Sequence, residues 1–322
     1  GKFPFANKSW ILLNDKGSFR TDENLSYDIG MVTDAVWSDF DADGWEDLII
    51  TREWNSIAVL KNNAGKSFTS VTVAGTENYK GVWFSITAGD FDLDGDDDYI
   101  AGNLGENHRF TISPRYPMNL YAIDLDMDGN IDPISTGYWE NPKGKMTEYP
   151  VNYFDELRGQ SSYFGKLFEN YTEFSYADIN QIIPKQLMQN VEMKLSINTS
   201  SSYIIWNNKG TFKWGKLPLV VQVAPVKKMI VKDLNNDQYP DVIIAGNDHT
   251  YDIATGYYDA CKGVVLINNR ERSFSVLSPR ESGLLLNGMV ESLIWIEDEQ
   301  PLVIAGINRS DAVTYRFVKK NE

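Results

Sequence analysis

The sequence is poor in the residues that build covalent staples and many catalytic centres. It has one cysteine, Cys261, and two histidines, His108 and His249, in 322 residues. A single cysteine excludes an internal disulfide, which fits a cytosolic protein and equally a secreted bacterial protein stabilised by metal ions. No apolar run approaches about 18 residues, so no segment of this sequence is expected to span a membrane.

Basic residues are also scarce relative to acidic ones. Asp and Glu number 45 against 30 Lys and Arg, which gives a formal net charge of -15. Phosphate backbones need a basic surface, so this balance argues against a nucleic-acid partner and suits a protein that binds cations. The sequence also lacks the Gly-x-Ser-x-Gly, His-Glu-x-x-His and phosphate-loop motifs, so no common catalytic machinery is indicated.

The acidic residues are concentrated in a repeated nine-residue pattern. The template D-x-[DN]-x-D-x-x-x-D occurs four times, at residues 39–47, 90–98, 124–132 and 233–241. We call these segments loops 1 to 4 and number their positions 1 to 9. Position 6 is Gly in the first three loops and Gln238 in the fourth. Four copies of one template indicate an internal repeat rather than a chance cluster of charge.

Short apolar segments rich in β-branched and aromatic residues precede and follow each loop. Loop 2, for example, lies between residues 84–88 and 99–101. Such segments are typical of buried strands, and further strand pairs joined by Asn-Asn turns follow at residues 57–73, 203–214 and 264–276. The unit is therefore a four-stranded antiparallel sheet of about 50 residues, the size of a propeller blade.

We predict an all-β fold, a β-propeller of four-stranded antiparallel blades in a single domain, residues 1–322. About five blades are visible, so the chain is either a smaller ring or part of a longer polypeptide that could carry seven. The helix-prone residues 153–194 are predicted to be a helical insertion within the third blade, whose outer strands are then residues 203–214. The N-terminal strands, residues 9–20, are expected to complete the last blade and close the ring.

The loops offer hard oxygen ligands at positions 1, 3, 5 and 9, with a backbone carbonyl near position 7. Oxygen-only, flexible ligation is what Ca²⁺ selects, whereas Zn²⁺ prefers His or Cys. The sequence therefore predicts three to four structural Ca²⁺ sites, the fourth weakened because Asn235 removes a charge. In loop 2, Asp97 at position 8 is expected to face solvent. The predicted metal-site residues are Asp39, Asp41, Asp43, Trp45, Asp47, Asp90, Asp92, Asp94, Asp96, Asp98, Asp124, Asp126, Asp128, Asn130, Asp132, Asp233, Asn235, Asp237, Tyr239 and Asp241.

Two other interpretations of the loops compete with this assignment. An EF-hand loop ends with Glu at position 12 and lies between helices. Here that position holds Ile50, Ala101, Ser135 and Ile244, and the flanks are predicted strands, so the EF-hand is excluded. A solvated acidic turn that binds no metal stays open.

The D-x-D-x-D-G-x-x-D loops between strands resemble FG-GAP/VCBS repeats, the blades of integrin-α-type propellers. Residues 30–37, 101–105 and 256–260 are similar to secreted VCBS-repeat proteins of Bacteroidota related to the ASPIC/UnbV group. The resemblance implies an extracytoplasmic location in a bacterium, whether secreted, periplasmic or cell-surface, and structural Ca²⁺ in the loops. It implies no reaction, so the expected role is a binding or interaction module for a glycan or protein partner.

A second set of polar residues follows the predicted strands after loops 2 and 4. Both strands end in Ala-Gly-Asn with a histidine shortly after, so equivalent loops could present both histidines on one face. The candidate ligand-binding residues are Asn103, Asn107, His108, Arg109, Asn247, Asp248 and His249. Candidates for stacking on sugars are Trp54, Trp83, Tyr138, Trp139, Tyr257 and Tyr258. The alternatives are ordinary loop histidines, or a polysaccharide-active lyase or hydrolase with its site on one propeller face.

Overall fold

A computed structural model describes residues 3–22, 25–250 and 256–318, and strands predominate in them. The strands are β1 (Ser9–Trp10), β2 (Leu13–Asp15), β3 (Ser18–Arg20), β4 (Ser26–Tyr27), β5 (Val32–Ser38), β6 (Asp47–Arg52), β7 (Ala58–Asn62), β8 (Phe68–Val71), β9 (Ser85–Gly89), β10 (Asp98–Gly102), β11 (Met118–Ile123), β12 (Asp132–Glu140), β13 (Met146–Pro150), β14 (Met193–Ile197), β15 (Tyr203–Asn208), β16 (Thr211–Lys216), β17 (Val226–Lys232), β18 (Asp241–Gly246), β19 (Val264–Asn268), β20 (Phe274–Leu277), β21 (Val290–Ile296), β22 (Leu302–Ile307) and β23 (Val313–Arg316). The α-helices are α1 (Phe154–Gln160), α2 (Ser162–Leu167), α3 (Tyr171–Ser175), α4 (Ile179–Ile182) and α5 (Pro279–Ser282). In the described ranges, none of the helices combines the length and apolar character that crossing a bilayer needs.

Five larger antiparallel sheets carry the fold. They are sheet 1 (β5-β6-β7-β8), sheet 2 (β9-β10-β15-β16), sheet 3 (β13-β12-β11-β14), sheet 4 (β17-β18-β19-β20) and sheet 5 (β21-β22-β23). The first strands of sheets 1, 2, 4 and 5 contact one another in series, β5 with β9, β9 with β17 and β17 with β21. This succession of three four-stranded sheets and one three-stranded sheet is consistent with an all-β repeat fold, and closure of the ring stays a prediction.

Sheet 3 is inserted into sheet 2. Strand β10 ends at Gly102 and its partner β15 begins at Tyr203, so residues 103–202 separate two adjacent strands. The expectation that residues 203–214 belong to the third blade is therefore wrong. The pairing is fixed by contacts distant in sequence, since the Asn207 N–H donates to Asp98 Oδ1 at 2.8 Å.

Helices α1 to α4 lie between β13 and β14, the outer strands of sheet 3. Their apolar side chains, such as Phe154 and Phe164, are fully buried in one cluster with Ile134 of that sheet. Three of these helices begin after a residue whose side chain accepts a backbone N–H, namely Ser161, Asn170 and Asp178. The other face of sheet 3 packs Leu120 against Trp54, so sheet 3 covers one end of sheet 1.

Neighbouring sheets are joined at position 2 of the acidic loops. Phe40 of loop 1 packs edge-on against Phe212 of sheet 2, with ring centroids 6.2 Å apart. Phe91 of loop 2 meets Phe274 of sheet 4 in the same way, at 5.8 Å. The same joint therefore runs from sheet 1 to sheet 2 and from sheet 2 to sheet 4, bypassing the inserted sheet 3.

The N-terminal strands form two small sheets of their own, β1 with β4 and β2 with β3. Ile11 and Tyr27 pack on sheet 1, in a cluster with Ile50 and Leu60. Completion of the last blade by residues 9–20 would need pairing with sheet 5, and the strand pairs of the described segments do not include one. That part of the ring-closure prediction is not met.

Candidate metal loops and ligand-binding face

The four acidic loops share one turn geometry, which their own carboxylates impose. In loop 2, Asp90 accepts the Asp94 and Gly95 N–H groups, both at 3.0 Å, and Asp94 accepts the Asp96 N–H at 3.1 Å. Equivalent bonds form in the other three loops. Positions 1 and 5 therefore shape the turn before any ion is considered.

Positions 4 and 6 of every loop have left-handed backbone conformations. The three glycines at position 6 have φ between 87° and 94°, and Gln238 adopts φ 76° in their place. Position 4 is never Gly, and Leu93, for example, has φ 59°. A non-glycine residue in this region costs on the order of 1–3 kcal/mol, so the surrounding bonds must hold it there. The glycine at position 6 allowed the left-handed conformation there to be predicted from the sequence, whereas the strained residue at position 4 carries no such signal.

Loops 1 to 3 each gather three carboxylates whose oxygen atoms lie within 4.8 Å of one another. The triads are Asp39–Asp41–Asp43, Asp90–Asp92–Asp94 and Asp124–Asp126–Asp132. In each triad the Oδ1 atom of position 3 (Asp41, Asp92 or Asp126) is buried and has no hydrogen-bond partner. Buried carboxylate oxygens normally have a donor or a cation, so this donor set fits a hard, oxygen-seeking ion such as Ca²⁺.

Loop 4 differs from the other three at the same position. Asn235 Oδ1 accepts the Asp237 N–H at 3.0 Å, so its oxygen is already satisfied. The Arg270 guanidinium lies 3.1 Å from Asp237 and supplies a positive charge. The carboxylate triads of the described segments do not include this loop. The arrangement therefore supports three metal loops rather than four.

Side-chain cations already lie against two of the triads. The Lys61 ammonium contacts Asp41 and lies 2.8 Å from Asp43, and its hydrogen bonds to both carboxylates raise the pKa of Lys61. The Lys61 hydrogen bond likewise lowers the pKa of Asp43. Arg272, from the turn between β19 and β20, lies 2.5 Å from Asp92 and so links sheets 2 and 4. A bound metal ion would have to share these carboxylates with, or displace, the protein's own cations.

Loop 3 has no such side-chain cation among the described residues, but it contacts the helical insertion. Asp126 Oδ2 accepts the N–H of Ser162, the first residue of α2, at 2.8 Å. The hydrogen bonds from Ser162 lower the pKa of Asp126. The third loop is thus tied directly to the helices that pack on sheet 3.

Position 9 is buried and acts mainly within the protein. Asp98 accepts the Asn207 N–H at 2.8 Å and the Phe91 N–H at 3.2 Å, and burial raises its pKa to about 7. Asp47 and Asp241 make the equivalent pair of bonds, and burial raises their pKa values too. Only in loop 3 does position 9 join a triad. The periodic spacing alone did not show that this carboxylate ties the loop to the third strand.

Positions 7 and 8 of loop 2 also have partners within the protein. Asp97 accepts the Ser38 hydroxyl of sheet 1 at 2.8 Å, so the expectation that it faces solvent is wrong. The Asp96 side chain accepts the Lys209 N–H at 3.1 Å. The predicted ligand role of the position 7 backbone carbonyl stays a prediction.

Two of the candidate ligand-binding residues hold the backbone instead. Asn103 is fully buried, accepts the Val82 and Leu104 N–H groups, and donates to the Ser201 carbonyl at 3.0 Å. Asn247 is equally buried and bonds both the N–H and the carbonyl of Cys261. Their amides have no free valence for a ligand, so we drop both from the candidate set.

The remaining candidates are divided between structural contacts and a cavity. Asn107 donates to the Val223 carbonyl at 3.2 Å, and His249 stacks on Tyr257 with ring centroids 4.5 Å apart. His108 accepts the Phe110 N–H, and burial lowers its pKa. Neither histidine lines the two neighbouring cavities that contain Arg109. The prediction that the two histidines form one polar rim is not supported.

Arg109 and Asp248 do line one cavity, of about 520 Å³. Asp248 is 3% exposed and pairs with Lys227 at 2.5 Å. Burial works against ionisation of Asp248, but the Lys227 ammonium and the Thr250 bonds prevail and hold its pKa below the ordinary value. Arg109 donates to the Tyr153 hydroxyl at 2.8 Å. These charges come from loops far apart in the sequence.

Glu53 is a functional candidate that the sequence did not reveal. It follows β6, faces the same cavity, and no hydrogen bond from the described residues reaches its carboxylate. Burial and the neighbouring Asp248 raise the pKa of Glu53, while Lys227 works in the opposite direction. No local motif marks this glutamate, because its neighbours come from other sheets.

The predicted sugar-stacking aromatics also separate. Trp83 is 0% exposed and belongs to the core, so its prediction as a stacking surface is wrong. Trp54 is 9% exposed and lines the cavity that holds Glu53, so its stacking role stays a prediction. Trp139 lines a second cavity, of about 500 Å³, next to the first. Tyr138 hydrogen-bonds Glu148 in a cluster on sheet 3.

Residues 39–101, which span loops 1 and 2, match the FG-GAP-like repeat family. The match supports an FG-GAP/VCBS-type repeat protein. Repeats of this family are commonly interaction modules, typify extracellular proteins and often bind Ca²⁺. No curated protein matches the chain.

Proposed function

We propose that this chain is an extracytoplasmic, calcium-stabilised β-propeller module that binds a glycan or protein partner and performs no catalysis of its own. The observation that carries the calcium assignment is the repeated buried Oδ1 atom without a partner at position 3 of loops 1 to 3. This unpartnered oxygen recurs in the three loops that have Asp at position 3. It is absent from loop 4, where the Asn235 Oδ1 atom at the same position accepts a backbone N–H. The difference therefore follows the residue type at position 3, as a metal ligand would.

In each of the three loops, Ca²⁺ would be held by the carboxylate triad described above. The ion supplies positive charge that offsets the mutual repulsion of the Asp side chains. The protein's own residues supply the rest. Positions 1 and 5 hold the turn, and in loops 1 and 2 position 9 connects it to the third strand. The metal is therefore structural, and it stabilises the connection between two inner strands.

The proposed location and the proposed group of related proteins go further than the FG-GAP-like match, which identifies only the type of repeat. We place the protein outside the cytoplasm of a bacterium, among VCBS-repeat proteins of the kind found in Bacteroidota and related to the ASPIC/UnbV group. The resemblance of residues 30–37 and 101–105 and the FG-GAP-like match support this placement. Extracellular calcium is abundant enough to fill sites of modest affinity, with dissociation constants of about 10⁻⁴–10⁻³ M.

Calcium titration after treatment with EDTA tests the metal assignment. Isothermal titration calorimetry should find three sites, and the melting temperature should fall in EDTA. Asp92→Asn should remove one site, whereas the control Asp311→Asn, on an exposed turn, should keep all three. No binding heat and no change in melting temperature would refute structural calcium, and a fourth site would refute our exclusion of loop 4.

One observation favours a second candidate, a polysaccharide lyase or hydrolase. Glu53 and Asp248 face one cavity, and their surroundings move their pKa values in opposite directions. Carboxyl pairs separated in this way are typical of acid–base sites. Release of reducing ends from a neutral polysaccharide, or of unsaturated products from a uronate-containing one, lost in Glu53→Gln, would establish catalysis in place of binding alone.

A further inference from the structure

Two adjacent cavities form one groove on the face covered by sheet 3 and its helices. They share Arg109, Val151 and Asn152, and their volumes are about 500 and 520 Å³. We call them the aromatic lobe, between α1, α3 and β13, and the charged lobe, between the ends of sheets 1, 2 and 4. Each lobe lies within the range of about 300–1,000 Å³ that is usual for small-molecule sites.

The aromatic lobe presents several rings to solvent. It is lined by Trp139, Tyr149, Tyr153, Tyr171, Phe174 and Tyr176. Tyr176 is 66% exposed and Tyr171 51%, although rings of this size are usually buried. The Phe110 ring of the charged lobe meets Trp139 edge-on at 6.2 Å and so continues the aromatic wall from one lobe to the other.

The charged lobe presents hydrogen-bond acceptors and donors together. The Glu53 carboxylate has no hydrogen bond from the described residues, and Glu156, whose Oε2 accepts the Tyr153 N–H at 3.0 Å, also lines this lobe. Asn152 uses its Oδ1 to accept the Ser135 N–H at 3.0 Å, and no hydrogen bond to another described residue engages its Nδ2. Arg109 is held at the junction by Tyr153 and Val151. A ligand here must offer several donors to the acids and at least one acceptor to the amide.

These requirements select among ligand classes. A proline-rich peptide would stack on the rings, but its backbone lacks N–H groups and would leave the carboxylates unsatisfied. An acidic glycan is disfavoured because four acids, Glu53, Glu140, Glu156 and Asp248, outnumber the two bases, Arg109 and Lys227. A neutral sugar has flat C–H faces for the rings and hydroxyls that both donate and accept.

We infer that this groove binds a short neutral oligosaccharide, with sugar faces on the rings of the aromatic lobe and hydroxyls on Glu53, Asn152 and Arg109 in the charged lobe. The inference rests on the proposed function, since it names the partner class of a binding module. Both lobes are built largely by the inserted residues 103–202, so the insertion into sheet 2 creates the site.

The test measures binding of six-unit oligosaccharides of glucose, mannose, galactose and xylose by isothermal titration calorimetry. Six-unit oligogalacturonate and a decaproline peptide are the competing probes. Tyr176→Ala probes the aromatic lobe and Glu53→Gln the charged lobe. The matched control is Phe19→Ala, which removes a 70% exposed ring of the N-terminal strands, outside the groove. A thermal melt of each variant establishes that it is folded.

We expect at least one neutral oligosaccharide to bind, both groove variants to weaken it at least fivefold, and Phe19→Ala to leave it unchanged. The inference is overturned if no neutral oligosaccharide binds, if both groove variants bind as the wild type does, or if only oligogalacturonate or decaproline binds. The calcium titration is separate. Calcium binding without sugar binding defeats this inference alone, and sugar binding without calcium defeats only the metal assignment.

Discussion

An asparagine at the end of the third strand recurs in several sheets, and its hydrogen bonds allow the contact between neighbouring sheets to be quantified. Asn268 ends the third strand of sheet 4, and its Nδ2 donates to the Phe91 carbonyl of loop 2 at 2.7 Å and to the Pro240 carbonyl at 3.2 Å. Its Oδ1 accepts the Arg270 N–H at 2.9 Å. Asn62 occupies the same place in sheet 1 but bonds only within its own sheet, to Glu46 and Gly65.

The replacement Asn268→Ala therefore loses three bonds, and Asn62→Ala loses two. At about 1 kcal/mol for each bond, the costs are about 3 and about 2 kcal/mol. The difference of about 1 kcal/mol measures the bond between sheets. The lost acceptor is the carbonyl of the fully buried Phe91, which water cannot readily reach. Asn207→Ala should behave like Asn268→Ala, because Asn207 bonds the Phe40 carbonyl of sheet 1 at 2.9 Å.

Denaturant unfolding followed by tryptophan fluorescence gives the three free energies of unfolding in saturating calcium, and a thermal melt gives the matching temperatures. A difference of about 1 kcal/mol corresponds to roughly 2–4 °C in melting temperature. Equal costs for Asn268→Ala and Asn62→Ala would refute the reasoning, since the bond between sheets would then contribute nothing.

Two further predictions concern charged groups. Lys61→Met should lower the free energy of unfolding without calcium by at most about 1 kcal/mol, because a partly exposed ion pair contributes at most about that much. The same change should tighten calcium binding at loop 1 by up to about fivefold. Calorimetry of this variant beside Asp92→Asn measures the affinity, and an unchanged affinity would contradict the prediction. Because the pKa of Glu53 is raised on folding, the native state binds the proton more tightly, and its stability falls as the pH rises above the ordinary glutamate value of 4.5. Glu53→Gln removes this loss of stability, so the melting temperature of the variant should exceed that of the wild type at pH 8, and the two should converge near pH 4. A difference in melting temperature that does not depend on pH would count against burial as the cause. The same would follow if the exposed control Glu299→Gln showed the same difference.

The acidic loops could be located from the sequence because their geometry is local. The carboxylates at positions 1 and 5 bond N–H groups within the same nine residues, so the spacing that identifies the loop also makes the turn. Short apolar segments on both sides identified the inner strands for the same reason, since strand alternation is a short-range pattern. Glycine at position 6 completed the signal.

Sheet membership was not readable, because it depends on contacts across about a hundred residues. The segment that forms β15 and β16 looks like any outer strand pair, and its pairing with β10 and the bond from Asn207 to Asp98 assign it to sheet 2. The Asn-Asn signature was understood as a turn, whereas the first Asn of two of these pairs, Asn207 and Asn268, also binds across the sheets. A local pattern cannot specify which distant carbonyl that side chain reaches.

The sequence by itself thus determined the repeat, its strands and the four acidic loops, because each of these is built from residues within one short segment. Only the tertiary structure decided which cations lie on the loops, since Arg272 reaches Asp92 from another sheet. It also decided the groove, where Glu53, Arg109 and Tyr176 come from three separate parts of the chain. Their proximity follows from the packing of sheet 3 on its neighbours, for which no short stretch of sequence carries a signal.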